Sequence, residues 1–114
     1  MNRAIKYVAG TMLAVGAFLP AAGALATSAY AHGVHSWAPA QNDPGKTAVK
    51  DTNEDQWVKN EYNRSSTGTQ KYTLWNKSDA GTTVYSGDGS TVTKIHACEE
   101  YDLAPDICSS WITV

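Results

Sequence analysis

Apolar residues are segregated along this chain, and that segregation limits what it can fold into. Of the first 31 residues 21 are apolar, against 27 of the 83 that follow. Arg3 and Lys6 precede an apolar stretch from Tyr7 to about Leu19 that is interrupted only by Gly10, Thr11 and Gly16. Pro20 ends it, short of the ~20 consecutive apolar residues that a membrane span needs. Ala29-Tyr30-Ala31 then supplies the small-x-small pattern that signal peptidase accepts. Residues 1–31 therefore read as a signal peptide, with cleavage expected between Ala31 and His32. The remaining 83 residues are expected to be secreted, extracellular and free of the membrane.

That remainder is too short for a second domain or a large enzyme core. It carries all 11 acids and seven of the nine bases, a formal charge of −4. This balance argues against nucleic acid and against an anionic membrane surface as partner. A monomer is expected. Cys98 and Cys108 are the only cysteines, and export would put them where disulfides persist. Closing the short ring between them is worth roughly 2.8 kcal/mol in the chain-entropy model. Two thiols make a poor metal site, even with His96 two residues away, so a disulfide is the expectation.

Residues 32–54 show neither helical nor strand periodicity, and Asn42-Asp43-Pro44-Gly45 reads as a turn. They are expected to be an irregular N-terminal segment, with Trp37 free to dock on the domain that follows. From residue 55 to 114 strand-length runs recur between Gly, Asn, Asp and Ser turns. The first is expected from about Trp57, although Thr52 and Asp55 resemble a helix-capping pair. Next comes Lys71–Asn76, with Tyr72 and Leu74 on one face and Thr73 and Trp75 on the other. Thr82–Ser86 and Ser90–Cys98 flank Gly87-Asp88-Gly89, which reads as a hairpin turn. A loop with Pro105 leads to Ile107–Val114. Eighteen Ser and Thr fall in the last 83 residues, which suits strands. The fold class expected is all-β, a small antiparallel sandwich or barrel with one disulfide behind a cleaved N-terminal signal helix.

Candidate chemistry is sparse. Asp51-x-Asn53-x-Asp55 opens like a calcium loop, but Gln56 and Tyr62 stand where that loop requires Gly and Glu. His32 and His35 would lie at the new N-terminus, a mobile tail able to bind Cu(II) or Ni(II) adventitiously. Glu99, Glu100 and Asp102 read as a solvated acidic loop rather than a glycosidase pair. Asn63-Arg64-Ser65 and Asn76-Lys77-Ser78 are glycosylation sequons. Only 11 Val, Ile and Leu are available after residue 31. Trp75 and Trp111 are accordingly expected in the core rather than on a sugar-stacking platform. No catalytic, cofactor-binding or metal-binding residue is assigned, and no cofactor is expected.

The C-terminal half resembles a group of small secreted actinobacterial β-domain proteins of uncharacterised function. The resemblance is carried by Leu74-Trp75-Asn76-Lys77-Ser78, Gly81-Thr82-Thr83-Val84, Val92-Thr93-Lys94-Ile95 with Cys98, and Cys108-Ser109-Ser110-Trp111. It implies a disulfide-tied β domain and nothing catalytic. In export and size the chain is also similar to small β-sandwich bacteriocins of the lactococcin type and to amylase inhibitors of the tendamistat type. It lacks the inhibitors' Trp-Arg-Tyr motif and second disulfide. The functional expectation is a non-enzymatic extracellular binding protein whose partner is a protein or a glycan. The alternative is a secreted antagonist, either bacteriocin-like or an inhibitor of an extracellular enzyme.

Overall fold

The computed structural model describes residues 25–53 and 56–114. The chain is all-β, with one disulfide. Nine described strands form two antiparallel sheets packed face to face. They are β1 (Thr27–Ala31), β2 (Val34–Ala38), β3 (Ala48–Asp51), β4 (Val58–Arg64), β5 (Tyr72–Asn76), β6 (Thr83–Tyr85), β7 (Val92–Tyr101), β8 (Ala104–Cys108) and β9 (Ile112–Thr113). One sheet runs β9-β7-β4-β5, with β8 added to the far half of β7; the other runs β1-β2-β3-β6. The sheets stack so that β9 meets β1, β7 meets β2, β4 meets β3 and β5 meets β6.

One expectation about the N-terminal part is corrected. Residues 32–54 are not an irregular entry segment. They contain β2 and β3, the two central strands of the four-stranded sheet. Their sequence hid this because the inward side chains are small or polar. Val34, Ser36 and Ala38 point inward from β2 and are all buried, so no apolar alternation marks the strand. The proposed signal peptide lies partly outside the described residues. Its expected cleavage point, Ala31–His32, falls inside the β1–β2 hairpin, whose register pairs Thr27 with Ala38 and Ala31 with Val34. Cutting there would remove a strand whose Ala29 is buried in the core. Gly33 makes the turn with φ of 75°, and a Cβ at that position would overlap the Glu99 carboxylate.

The core is built from Ala29, Val34, Ala38, Val49, Val58, Tyr62, Val92, Ile95 and Ala97, with Tyr72, Leu74, Val84 and Ile112 packed around it. Small residues dominate it, so the sheets approach closely and buried polar side chains fill what remains. Asn60 donates to Thr47 Oγ1 at 2.7 Å, and Thr47 donates onward to the Trp37 carbonyl at 2.7 Å. Asn60 Oδ1 accepts from the His96 amide. Asn76, fully buried, donates to the carbonyls of Thr82 and Val49. The Asn60, Thr47 and Asn76 groups are thus satisfied, the condition under which burial is tolerated, whereas Ser36 Oγ, Asp51 Oδ2 and Glu99 Oε2 are buried without a hydrogen-bond partner. Asn76 and Asn63 are the acceptors of the two sequons, and both are buried. Neither amide is open to glycosylation in the folded state.

Gly87-Asp88-Gly89 is not a hairpin turn. β6 pairs with β3, while β7 pairs with β4, β8 and β9, so the segment crosses from one sheet to the other. Gly89 serves packing instead: a Cβ there would meet the Arg64 guanidinium. The hairpin is elsewhere, between β7 and β8, where Cys98 pairs directly with Cys108 and the disulfide joins them. Pro105 is accommodated because β8 pairs on one side alone. The strand expected from about Trp57 and the facing pattern of Lys71–Asn76 are both as read from sequence.

Candidate functional site

The outer face of the five-stranded sheet gathers Trp57, Trp75 and Trp111 with a group of charged side chains. Alternation along β4 produces it. Val58, Asn60 and Tyr62 turn inward, which leaves Lys59 and Glu61 outward. Register then builds two rows across the sheet. Trp75 on β5 stands beside Lys59 on β4 and Cys98 on β7, and Thr73 stands beside Glu61 and His96. Trp57 precedes β4 on the same side, and Trp111, just before β9, stacks on His96 with ring centroids 4.5 Å apart and 13° between planes. From β5 to β9 the face spans three strand spacings, about 14 Å.

Glu61 is the hub of the charges. Its Oε1 accepts from His96 Nδ1 at 3.0 Å, and its Oε2 lies 3.1 Å from Lys71 Nζ and 3.8 Å from Lys59 Nζ. Burial opposes ionisation of this carboxyl. The bonds from His96 and Lys71, with the charges of Lys71 and Lys59, outweigh it and hold the pKa below the usual value. Burial likewise opposes the charge on Lys59, yet its bond to Asp106 at 2.8 Å and the nearby Glu61 and Glu100 raise its pKa. The ammonium of Lys77 sits 4.4 Å from the centre of the Trp57 ring and 5.1 Å from that of Trp75, and Lys59 sits 4.9 Å from Trp75. Trp57 is 50% exposed and Trp111 is 40% exposed. Trp75 and Trp111 were expected in the core. Trp111 lies on the surface and Trp75 is only partly buried, because the inward positions are taken by Ala, Val and hydrogen-bonded Asn.

The other sequence candidates separate. His96 Nδ1 lies 3.7 Å from Cys98 Sγ, but both sulfurs are committed to the disulfide, so these three residues form no thiolate metal site. His32 and His35 are not in a tail. His32 Nδ1 hydrogen-bonds Glu99 Oε1 at 2.8 Å. His35 is stacked between Tyr30 and Trp37, with Nε2 2.9 Å from Ser28 Oγ. Burial, then the charge of Lys50, lowers the His35 pKa to about 4, so its ring is neutral at physiological pH. The acidic run also divides by strand parity. Glu99 points inward, fully buried, and accepts from Tyr101 and His32, while Glu100 is turned to the opposite face. Asp51, on neighbouring β3, is buried as well. Burial and then the charges of Glu99 and Asp79 raise its pKa, against an opposing bond from the Asn53 amide. Asp55 lies outside the described residues.

Lys59, Glu61, Lys71 and Lys77 were not picked out by sequence reading. The alternation of Lys59 and Glu61 between Val58, Asn60 and Tyr62 carried the signal, but Asn60 in the core obscured it. Comparison with protein-family models, curated proteins and solved structures finds no match for this chain.

Proposed function

We propose that this is an exported, non-enzymatic binding protein, and that the outer face of the five-stranded sheet is its ligand surface. The observation that carries the reading is the half-exposure of Trp57 and Trp111 on a face furnished with Lys59, Glu61, Lys71 and His96. Aromatic planes beside fixed donors and acceptors suit a ligand with both apolar and hydroxyl-bearing faces, and a glycan has both. Glu61 is already held by Lys59, Lys71 and His96, an arrangement that orients a binding surface rather than freeing a base for proton transfer.

Export is supported by Arg3, Lys6, the apolar run and the disulfide. Processing compatible with the β1–β2 hairpin would leave Thr27–Ala31 on the mature chain. Ala24-Leu25-Ala26 offers the same small-x-small pattern just ahead of Thr27, and intact-mass analysis of the secreted product reads the site directly. The ligand surface is tested by retention of the wild-type protein and of a Trp57→Ala/Trp111→Ala variant on the polysaccharide fraction of conditioned medium. Both tryptophans are half-exposed, so the variant should fold. Loss of retention is expected. Equal retention, with folding confirmed by circular dichroism, would reject the face as the ligand surface.

A further inference from the structure

The two sheets close over a pair of carboxyl groups that the ligand face does not use. Asp51 lies on β3 and Glu99 on β7, so they come from opposite sheets. Register turns both inward: Asp51 pairs with the core residue Val34, and Glu99 pairs with the core residue Val58. Both are buried, at 1% and 0% exposure, and each keeps one oxygen, Asp51 Oδ2 and Glu99 Oε2, without a hydrogen-bond partner. We propose that Asp51 and Glu99 bind a calcium ion between the sheets. The site owes nothing to the ligand face, which lies on the other side of the five-stranded sheet.

Both side chains belong to one corner of the molecule. Glu99 Oε2 rests against Gly33, where a Cβ would overlap it. Gly33 precedes Val34, the register partner of Asp51, and its carbonyl accepts from the Thr52 amide at 2.9 Å. The other two carboxyl oxygens are committed. Glu99 Oε1 accepts from the Tyr101 hydroxyl and from His32 Nδ1, the latter at 2.8 Å. Asp51 Oδ1 accepts from the Asn53 amide at 2.9 Å. These bonds fix the orientation of each carboxyl group, the service that outer-shell partners give to metal ligands. Among the described residues, the His32 imidazole is the only basic group paired with either acid. Two buried acids with so little compensation are costly to ionise. Burial, followed by the charges of Glu99 and Asp79, raises the pKa of Asp51 against the bond from the Asn53 amide. A divalent cation would cancel both charges and engage both orphaned oxygens at once.

The donor set selects the ion. Both orphaned donors are carboxyl oxygens, which suit a hard cation rather than zinc or copper. Magnesium dehydrates reluctantly and keeps several waters, so a pair shut away from solvent suits calcium better. Two carboxylates are few for calcium. Main-chain carbonyls and water would complete its shell, and the Kd should fall at about 10⁻⁴–10⁻³ M, the range of extracellular modules. The His32 side chain is 61% exposed, so the way in passes its ring. A bound ion would tie β3 to β7 beside the turn of the β1–β2 hairpin.

The test is thermal unfolding of the full chain, stripped with EDTA, in calcium chloride, magnesium chloride and sodium chloride at equal ionic strength. Calcium at about 10 mM, roughly ten times the weakest expected Kd, should favour the folded form about tenfold over sodium and raise the midpoint. Magnesium should raise it much less. Asp51→Asn and Glu99→Gln are nearly isosteric and remove a buried charge, so each should fold and lose the calcium response. A second readout needs no variant. Terbium should occupy the site, be excited through Tyr101, whose hydroxyl bonds Glu99, and be displaced by calcium. Equal midpoints in calcium and magnesium, or a calcium response kept in either variant, would overturn the site. Terbium emission that is absent, or that calcium fails to displace, would do the same. So would an Asp51 carboxyl that stays protonated at neutral pH in calcium, read from its carboxyl carbon resonance, because a proton would then hold the place of the metal. None of these outcomes bears on the tryptophan face.

Discussion

Arg64, the last residue of β4, holds one end of the sandwich together, and its replacement is the sharpest test of the packing described above. Its Nη1 donates to the carbonyls of Gly45 at 2.8 Å and Ser90 at 2.7 Å, and Nη2 donates to Gly87 at 3.1 Å. Three loop carbonyls from both sides of the sandwich thus converge on one buried guanidinium, which also lies 5.3 Å from the Tyr62 ring and 5.8 Å from the Tyr72 ring. Arg64→Met keeps the length and removes every donor. The bond to Gly45 is buried, so losing it should cost about 1.5–3 kcal/mol, as for a charged donor. The other two are partly open to water and should cost about 0.5–1 kcal/mol each. The sum, about 2.5–5 kcal/mol, is a large fraction of the ~5 kcal/mol expected of a small domain. Arg64→Lys separates charge from geometry, because an ammonium cannot reproduce the fork that spans these carbonyls. About 2 kcal/mol should be lost. Urea unfolding followed by circular dichroism measures both variants. A loss under about 1 kcal/mol for Arg64→Met, or a lysine variant as stable as the parent, would refute the argument.

Three further outcomes are expected. His35 has a folded pKa of about 4 against the ordinary 6.5, so between those values the unfolded chain binds the extra proton. Stability is therefore complete above about pH 6.5 and declines as pH falls toward 4, by ~1 kcal/mol once solvent screening of a partly exposed ring is allowed for; His35→Gln should flatten that part of a pH series of unfolding midpoints. A chain beginning at His32 lacks β1 and should unfold at much lower urea than one beginning at Thr27, and indistinguishable midpoints would show β1 to be dispensable. Replacing both cysteines by Ser should lower stability by roughly 2–4 kcal/mol. Because every residue of β8 is exposed, amide exchange should show the loss first in the β7–β8 hairpin, and uniform loss across both sheets would contradict this.

What the sequence made legible follows from side-chain period. β5 was readable because Tyr72 and Leu74 alternate with Thr73 and Trp75, and the start of β4 was readable because Trp57 and Val58 head a run with no helical stripe. β2 and β3 were not, since their inward positions are Val34, Ser36, Ala38, Val49 and Asp51, a set with little hydrophobic contrast. Trp111 was assigned to the core on the assumption that a chain poor in aliphatics must bury its largest rings. The actual core closes on alanine and on bonded asparagine, so the rings are left outside. Composition alone could not reveal this, because the choice depends on how closely the two sheets approach. The crossover at Gly87-Asp88-Gly89 was hidden for a related reason. A turn motif reports local backbone geometry, whereas the sheet that the next strand joins is decided by partners distant in sequence.

The meeting of β1 with β9 has a consequence for the order in which the chain is written. Among the described strands the first and the last form one seam of the sandwich, and β5 with β6 forms the other. β1 is about 17 Å long, so a short Gly/Ser linker from Val114 would reach Thr27. The exposed loop at Gly68, where a Cβ would meet nothing, is a natural place to open new ends. A permuted chain starting there would preserve both sheets, the disulfide and the tryptophan face. For a chain beginning at Thr27, it would move the free termini from the β1–β9 seam to the connection between β4 and β5, leaving the architecture indifferent to where translation starts.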